Sequence, residues 1–266
     1  MAVERNLWAS LRATTIARVG LGRTGDAPRL EDLLALQLAH ASARDAVGAA
    51  LDVARLTQEL QSLPVQRVAS RACDRVQYLR RPDLGRQLDS GNADSLPAGP
   101  FDAAFVIADG LSAKAVNDNA VAFITACMAR LASWRFAPVV LAQQARVAIG
   151  DEIGSRLAAS LAVVLIGERP GLSVPHSMGV YITYDPRPGR TDAERNCISN
   201  IHANGLSPDE AAQKAAWLMS EALTRKLTGV DLKDAAPGPI QAHPHPTLAA
   251  QGPPSPAERE KGTLNP

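Results

Sequence analysis

Aromatic side chains are scarce in this chain, at three Trp, three Tyr and four Phe in 266 residues. A platform of stacked rings for single-stranded nucleic acid is therefore not expected. Charge of one sign is also missing. Lys and Arg number 28 against 27 Asp and Glu, a net charge of +1. That excludes a global pull toward nucleic acid and leaves only local patches such as Arg80-Arg81. Cysteine is limited to Cys73, Cys127 and Cys197, widely separated and without a C-x-x-C or a Cys/His cluster, so structural zinc is not expected. No apolar run is long enough to span a bilayer. Met1 to Trp8 lacks the apolar core of a signal peptide. A reducing cytoplasm is the expected compartment.

What is present is the composition of an ordinary globular protein, 46% hydrophobic and 21% charged, long enough for one large domain or two small ones. Residues 1–64 read as a helical N-terminal region that packs against the rest or against a partner. Leu30, Leu33, Leu34, Gln37, Leu38 and Ala41 recur at helical spacing, and a second amphipathic piece runs from about Asp52 to Leu60. From Val65 to Lys233 the texture changes. Phe101–Ala108, Pro138–Ala142 and Leu161–Ile166 are continuous apolar runs, and helical stretches of about 112–132 and 152–159 lie between them. Such alternation predicts an α/β domain, doubly wound around a mostly parallel sheet. Ser207, Pro208 and Glu210 mark the start of a last helix, with Gly229 as its stop. Residues 234–266 hold eight prolines from Ala235 onward and few large apolar side chains, which predicts a disordered tail. His243 and His245 fall in it and read as solvated rather than as metal ligands.

The densest polar stretch is Leu165 to Ile201. An apolar strand there enters Gly167-Glu168-Arg169-Pro170-Gly171, a second strand covers Val180–Tyr184, and a long polar loop ends at Arg195-Asn196-Cys197-Ile198-Ser199-Asn200. Polar loops on buried strands are where ligand contacts gather. Open α/β sheets bind ligands beyond the carboxyl ends of their strands. Asp109-Gly110-Leu111-Ser112 and Gly167-Glu168-Arg169-Pro170 both stand there and are expected to line one crevice. Glu168 reads as a general base, a ligand contact or half of an ion pair with Arg169, and local pattern does not separate these. Cys197 reads as a crevice contact rather than a nucleophile, with His202 a poor base candidate. Gly20-Leu21-Gly22-Arg23-Thr24-Gly25 matches G-x-G-x-x-G, but no strand precedes it and Pro28 falls where its helix should run. A tight turn between helices is the expectation. Arg80-Arg81-Pro82-Asp83-Leu84-Gly85-Arg86 reads as a solvated basic loop, and Arg80 and Arg81 are also candidates for a subunit interface.

Longer strings carry a resemblance. Ala17–Arg23, Tyr78–Arg86, Ile107–Ser112, Gly150–Gly154, Gly167–Leu172 and Cys197–Ile201 together resemble the small (light) subunit of ethanolamine ammonia-lyase, over about residues 7–233. The resemblance implies a heteromeric lyase that depends on adenosylcobalamin. It converts ethanolamine to acetaldehyde and ammonia by radical 1,2-amino migration. The large subunit binds substrate, and the small one has a Rossmann-like domain that holds cobalamin against it. The family's cofactor contacts fall on Val147, Glu168 and Cys197. No catalytic residue and no metal ligand is implied for this chain. It has no D-x-H-x-x-G, in keeping with a cofactor that retains its own base on cobalt. The short N-terminus before the family core argues against packing into a bacterial microcompartment. A stand-alone α/β binding or regulatory protein for a phosphorylated ligand is the alternative. A dehydrogenase built on the glycine turn is a third.

Overall fold

The computed structural model describes residues 8–93 and 95–235. The Pro-rich stretch expected to be disordered, with His243 and His245, lies outside the described residues from 236 onward. Residues 8–60 carry α1 (Ala9–Thr14), a small hairpin of β1 (Arg23–Thr24) and β2 (Ala27–Pro28), α2 (Leu30–Gly48) and α3 (Val53–Glu59). No strands were expected in this region. The cause is local, because Gly25 adopts φ +63° between two antiparallel residue pairs. The glycine-rich string therefore closes a hairpin between helices. No parallel strand feeds it, and a dinucleotide loop needs one. α2 carries apolar residues on every side. Ala46 is buried against the body, while Leu30, Leu33, Leu34 and Leu38 are exposed along the opposite face. α3 starts where Asp52 Oδ1 accepts the Arg55 N–H at 3.0 Å.

The remaining elements are β3 (Val65–Ala69), α4 (Arg75–Arg80), α5 (Ser90–Ala93), β4 (Phe101–Ala108), α6 (Ala113–Arg130), β5 (Val139–Gln143), α7 (Ile149–Arg156), β6 (Ala159–Gly167), β7 (Met178–Tyr184), β8 (Asn196–Ile201) and α8 (Pro208–Arg225). They build an α/β fold on one six-stranded sheet of order β3-β5-β4-β6-β7-β8. The first four strands are parallel, whereas β7 and β8 run antiparallel. The sheet is thus mixed. The polar loop expected up to Asn200 is shorter than anticipated, because residues 196–201 form the edge strand β8.

The continuous apolar runs follow from burial on both faces. Along β4, Ala103, Phe105 and Ile107 enter a core shared with α3, α6 and α8, while Ala104, Val106 and Ala108 enter a second core against α7. Each large side chain removed from water in this way contributes roughly 1.5–3 kcal/mol. α8 begins with the expected capping box. Ser207 Oγ accepts from Glu210 N–H, and Glu210 Oε2 accepts from Ser207 N–H at 3.0 Å. Its end differs from expectation. Lys226, not Gly229, is the left-handed cap at φ +59°. Ser112 stands at the N-cap of α6, but its hydroxyl donates to the Pro175 carbonyl (3.2 Å) instead of capping. α7 starts at Ile149, so Asp151 lies inside its first turn.

The parallel strands all end at one edge of the sheet. Ala69, Ala108, Gln143 and Gly167 are their last residues, and antiparallel β7 begins there at Met178. The loops at this edge form the walls of the site.

Candidate functional site

Two turns meet at that edge. Gly110, after β4, has φ +57°, and a Cβ on it would lie 2.3 Å from the carbonyl oxygen of Gly167, after β6. Glycine alone allows this approach, and Leu111 N–H then donates to Gly167 O at 2.9 Å. The two strand-end motifs expected to share a crevice do so. A cavity of about 400 Å³ opens beside them, with Val147, Ile166, Glu168 and Tyr181 in its walls.

Asp109 is not a lining residue. Its buried carboxylate accepts the N–H groups of Gln144 (2.8 Å) and Ala145 (2.9 Å), with the Arg75 guanidinium at 3.7 Å. It braces the turn after β5 that carries Arg146 and Val147. Burial pushes this carboxyl above its ordinary range, and the two N–H bonds oppose that.

Glu168 follows β6, and its N–H donates to the Ser177 carbonyl at 2.8 Å. Its Oε2 accepts from the Ser177 hydroxyl at 2.5 Å. A Cβ at Gly179 would come within 2.9 Å of Glu168 Oε1, so the glycine in β7 leaves the slot that the carboxylate occupies. Among the described residues Glu168 forms no ion pair with Arg169, which removes that one of its three sequence readings.

Cys197 is not in the cavity wall. It stands opposite Tyr181 in the β7–β8 register, so both side chains project from the same face, and Tyr181 lines the cavity. Desolvation pushes the thiol up, the Tyr181 hydrogen bond pulls it partly back, and the Glu168 charge raises it again. That setting stabilises a neutral thiol, which suits a contact residue and not a nucleophile. His202 is already engaged, with Nε2 at 2.8 Å from Asn200 Oδ1 and Nδ1 accepting from Asn204 N–H at 3.2 Å. The structure therefore places Val147 and Glu168 on one cavity and Cys197 one residue pair away.

Sequence reasoning did not select Tyr78, Arg146 or Tyr181 as site residues. Tyr78 reaches the cavity from α4, fully buried, with its hydroxyl donating to the Ala145 carbonyl at 3.2 Å. Burial pushes this phenol up to about 12. The guanidinium carbons of Arg75 and Arg146 lie 4.6 and 4.2 Å from its ring centroid. No local spacing announces this cluster, which long-range packing assembles.

The polar loop between β7 and β8 has a structural role. Arg195 is buried and forks onto Asp151 in α7, at 2.5 and 2.7 Å, with Thr183 Oγ1 at 2.9 Å. The basic loop at Arg80-Arg81 behaves as a solvated face, where Arg81 and Asp83 form an exposed pair at 2.7 Å. Among the described residues, no helix is long and apolar enough to cross a membrane.

Known proteins share this arrangement of sequence. Residues 5–233 match the family described as Ethanolamine ammonia-lyase light chain (EutC). The ethanolamine ammonia-lyase small subunit of Bradyrhizobium diazoefficiens is 54% identical over 241 residues, covering 88% of this chain and 92% of that protein. That of Rhodopseudomonas palustris is 55% identical over 231 residues, 84% and 88% of the two chains. That of Xanthomonas campestris pv. campestris is 51% identical over 246 residues, 89% and 90%. A family match over nearly the whole chain and identities of this size leave one conclusion: the chain belongs to the ethanolamine ammonia-lyase light-chain family.

Proposed function

We propose that this chain is the small subunit of an adenosylcobalamin-dependent ethanolamine ammonia-lyase, and that it holds the cobalamin against a large catalytic subunit. The observation that carries the reading is the juxtaposition of Val147, Glu168 and Tyr181 around one cavity at the carboxyl edge of the sheet, with Cys197 paired to Tyr181. We read the parallel half of the sheet as Rossmann-like, and residues 65–233 as the part that holds the cofactor.

The donor set fits a corrinoid. Val147, Leu111 and Ile166 offer apolar contact to a ring, and the Glu168 carboxylate accepts N–H bonds from peripheral amides. Ser177 and the slot at Gly179 fix that carboxylate beforehand, which lowers the cost of ordering it on binding. When bound, the cofactor supplies the radical chemistry of amino migration. This chain's residues bind and orient it, and we assign none of them an acid, base or metal-ligand role. The cavity is open to solvent and smaller than a corrinoid, so a second wall is needed.

That wall is the large subunit in this reading, as the name "small subunit" of the relatives implies for their own assemblies. We assign the outward leucines of α2, within residues 1–64, to contact with it. Arg80 and Arg81 remain candidates for the same interface. Activity in the cytoplasm belongs to this proposal. Glu168→Ala in the assembled complex tests the site. Cobalamin affinity falls by about tenfold, as loss of a charge-assisted bond predicts, while co-purification of the subunits is unchanged. Unaltered affinity refutes the assignment.

A further inference from the structure

Asp109 braces the turn after β5 fully only while its carboxyl is ionised. The carboxylate then offers one acceptor oxygen to the Gln144 N–H and the other to the Ala145 N–H. Protonation turns one oxygen into a hydroxyl, a donor that faces another donor, and one of the two bonds is lost. The turn depends on such bonds. Gln144 stands at φ +52°, a left-handed conformation that residues other than glycine rarely adopt. The Ser70 and Tyr78 hydroxyls hold the carbonyls of Gln144 (2.6 Å) and Ala145 (3.2 Å), and Asp109 holds the N–H groups. Val147, two residues on, is a wall of the cavity.

Burial works against the ionised form of Asp109, while the two N–H bonds and then the Arg75 charge favour it. Arg75 comes from α4 and is not in the cavity wall. Its Nη1 lies 3.7 Å from Asp109 Oδ2, beyond hydrogen-bond range, and both Nη atoms are buried without a hydrogen-bond partner. Arg75 therefore acts on Asp109 as a charge and not as a fork. Two contacts fix it there. Nε donates to the Val47 carbonyl in the last turn of α2 at 2.8 Å, and the guanidinium carbon lies 4.6 Å from the Tyr78 ring centroid. The charged and titratable groups of this cluster are Arg75 and Tyr78 from α4 and Arg146 from the turn itself. Tyr78 stays neutral, since its phenol is pushed up to about 12. The flanking strands set Ala142 and Ile166 beside Ala108, and neither carries charge.

We propose that Arg75 is a positioning residue for the cofactor cavity: it keeps Asp109 ionised at neutral pH, so that the turn bearing Val147 holds the shape that binds cobalamin. This rests on the cobalamin reading of that cavity. Binding selects the ionised form of Asp109, so affinity falls as pH drops through the Asp109 titration. Removing the Arg75 charge raises that titration and moves the fall to higher pH.

Adenosylcobalamin affinity of the complex with its large subunit is measured by absorbance titration from about pH 5.5 to 8.5, where one linked proton changes affinity by at most about tenfold per pH unit. Arg75→Gln binds within about twofold of the parent at the alkaline end, and its fall on acidification, up to about tenfold per pH unit, begins at a higher pH than the parent's. Arg75→Lys keeps a charge and restores most of the parent profile. In an Asp109→Asn background, Arg75→Gln adds less than about twofold and no pH dependence, as expected when one residue acts through the other. A loss equal at every pH, an additive loss in the Asp109→Asn background, or no loss overturns the role of Arg75 and leaves the Glu168 site standing. Should Arg75→Gln fail to assemble, Arg75→Lys decides: a profile that follows the parent supports the role, and a loss independent of pH overturns it. Hydrogen exchange of residues 143–147 at about pH 6, in the complex without cobalamin, gives a second readout. It speeds up in Arg75→Gln and not in Arg75→Lys, and unchanged exchange in Arg75→Gln overturns the role. A parent complex that shows this exchange pattern but binds no cobalamin overturns the cobalamin reading alone.

Discussion

Glu168 and Cys197 show how one strand-end cluster assigns different duties to ionisable groups. The carboxylate is fixed by Ser177 and given room by Gly179, so it is an oriented acceptor. The thiol beside Tyr181 is pushed up by desolvation and by the Glu168 charge, so its reactive thiolate is suppressed. Alkylation with iodoacetamide at pH 8 measures this. Cys197 reacts more slowly than a free cysteine in a denatured control, and a rate equal to or above that control contradicts the contact role. Glu168 was visible in the sequence because it directly follows an apolar strand. Tyr78 and Arg146 were not, because one comes from α4 and the other from the turn after β5, and only the folded chain brings them to one cavity.

Among the elements, the connection from β7 to β8 is held by two anchors. In its 3-10 turn, the Thr191 N–H (2.7 Å) and the Arg190 guanidinium (2.5 Å) hold the Glu194 carboxyl down at about 2. A carboxylate depressed in the folded state contributes stability above its ordinary value of 4.5, and that contribution fades as pH falls toward 2. Thermal melts of Glu194→Gln against the parent therefore differ most near pH 7 and converge on the way to pH 3. A gap that stays constant over that range argues against the anchor. The second anchor is the buried Arg195–Asp151 fork. Arg195→Met leaves Asp151 buried and unpaired, which costs about 3–5 kcal/mol in denaturant unfolding. A loss under about 1 kcal/mol would place the pair among ordinary surface bridges. Element type was legible where burial on both faces imposed unbroken apolar runs, as in β4, β5 and β6. It failed at β8, whose Asn196-Cys197-Ile198-Ser199-Asn200-Ile201 buries only Ile198 and Ile201 and depends on β7 for its strand geometry. It failed also at the β1–β2 hairpin, two residues per strand and too short for any periodic signal.

For the whole molecule, two features point outward. The cavity at the sheet edge opens to solvent, and α2 presents Leu30, Leu33, Leu34 and Leu38 on a face with no cover among the described residues. Uncovered apolar residues of this kind mark contact surfaces. The α/β class could be read from alternating runs, while the antiparallel turn-back of β7 and β8 could not, since apolar content does not encode strand direction. Family membership was carried by long ordered strings, and the cofactor role is the claim built on them. Equilibrium binding of adenosylcobalamin, followed by absorbance, tests it most directly, with the large subunit alone compared with the large subunit plus this chain. The account predicts saturable binding that requires this chain. Equally tight binding by the large subunit alone would contradict it.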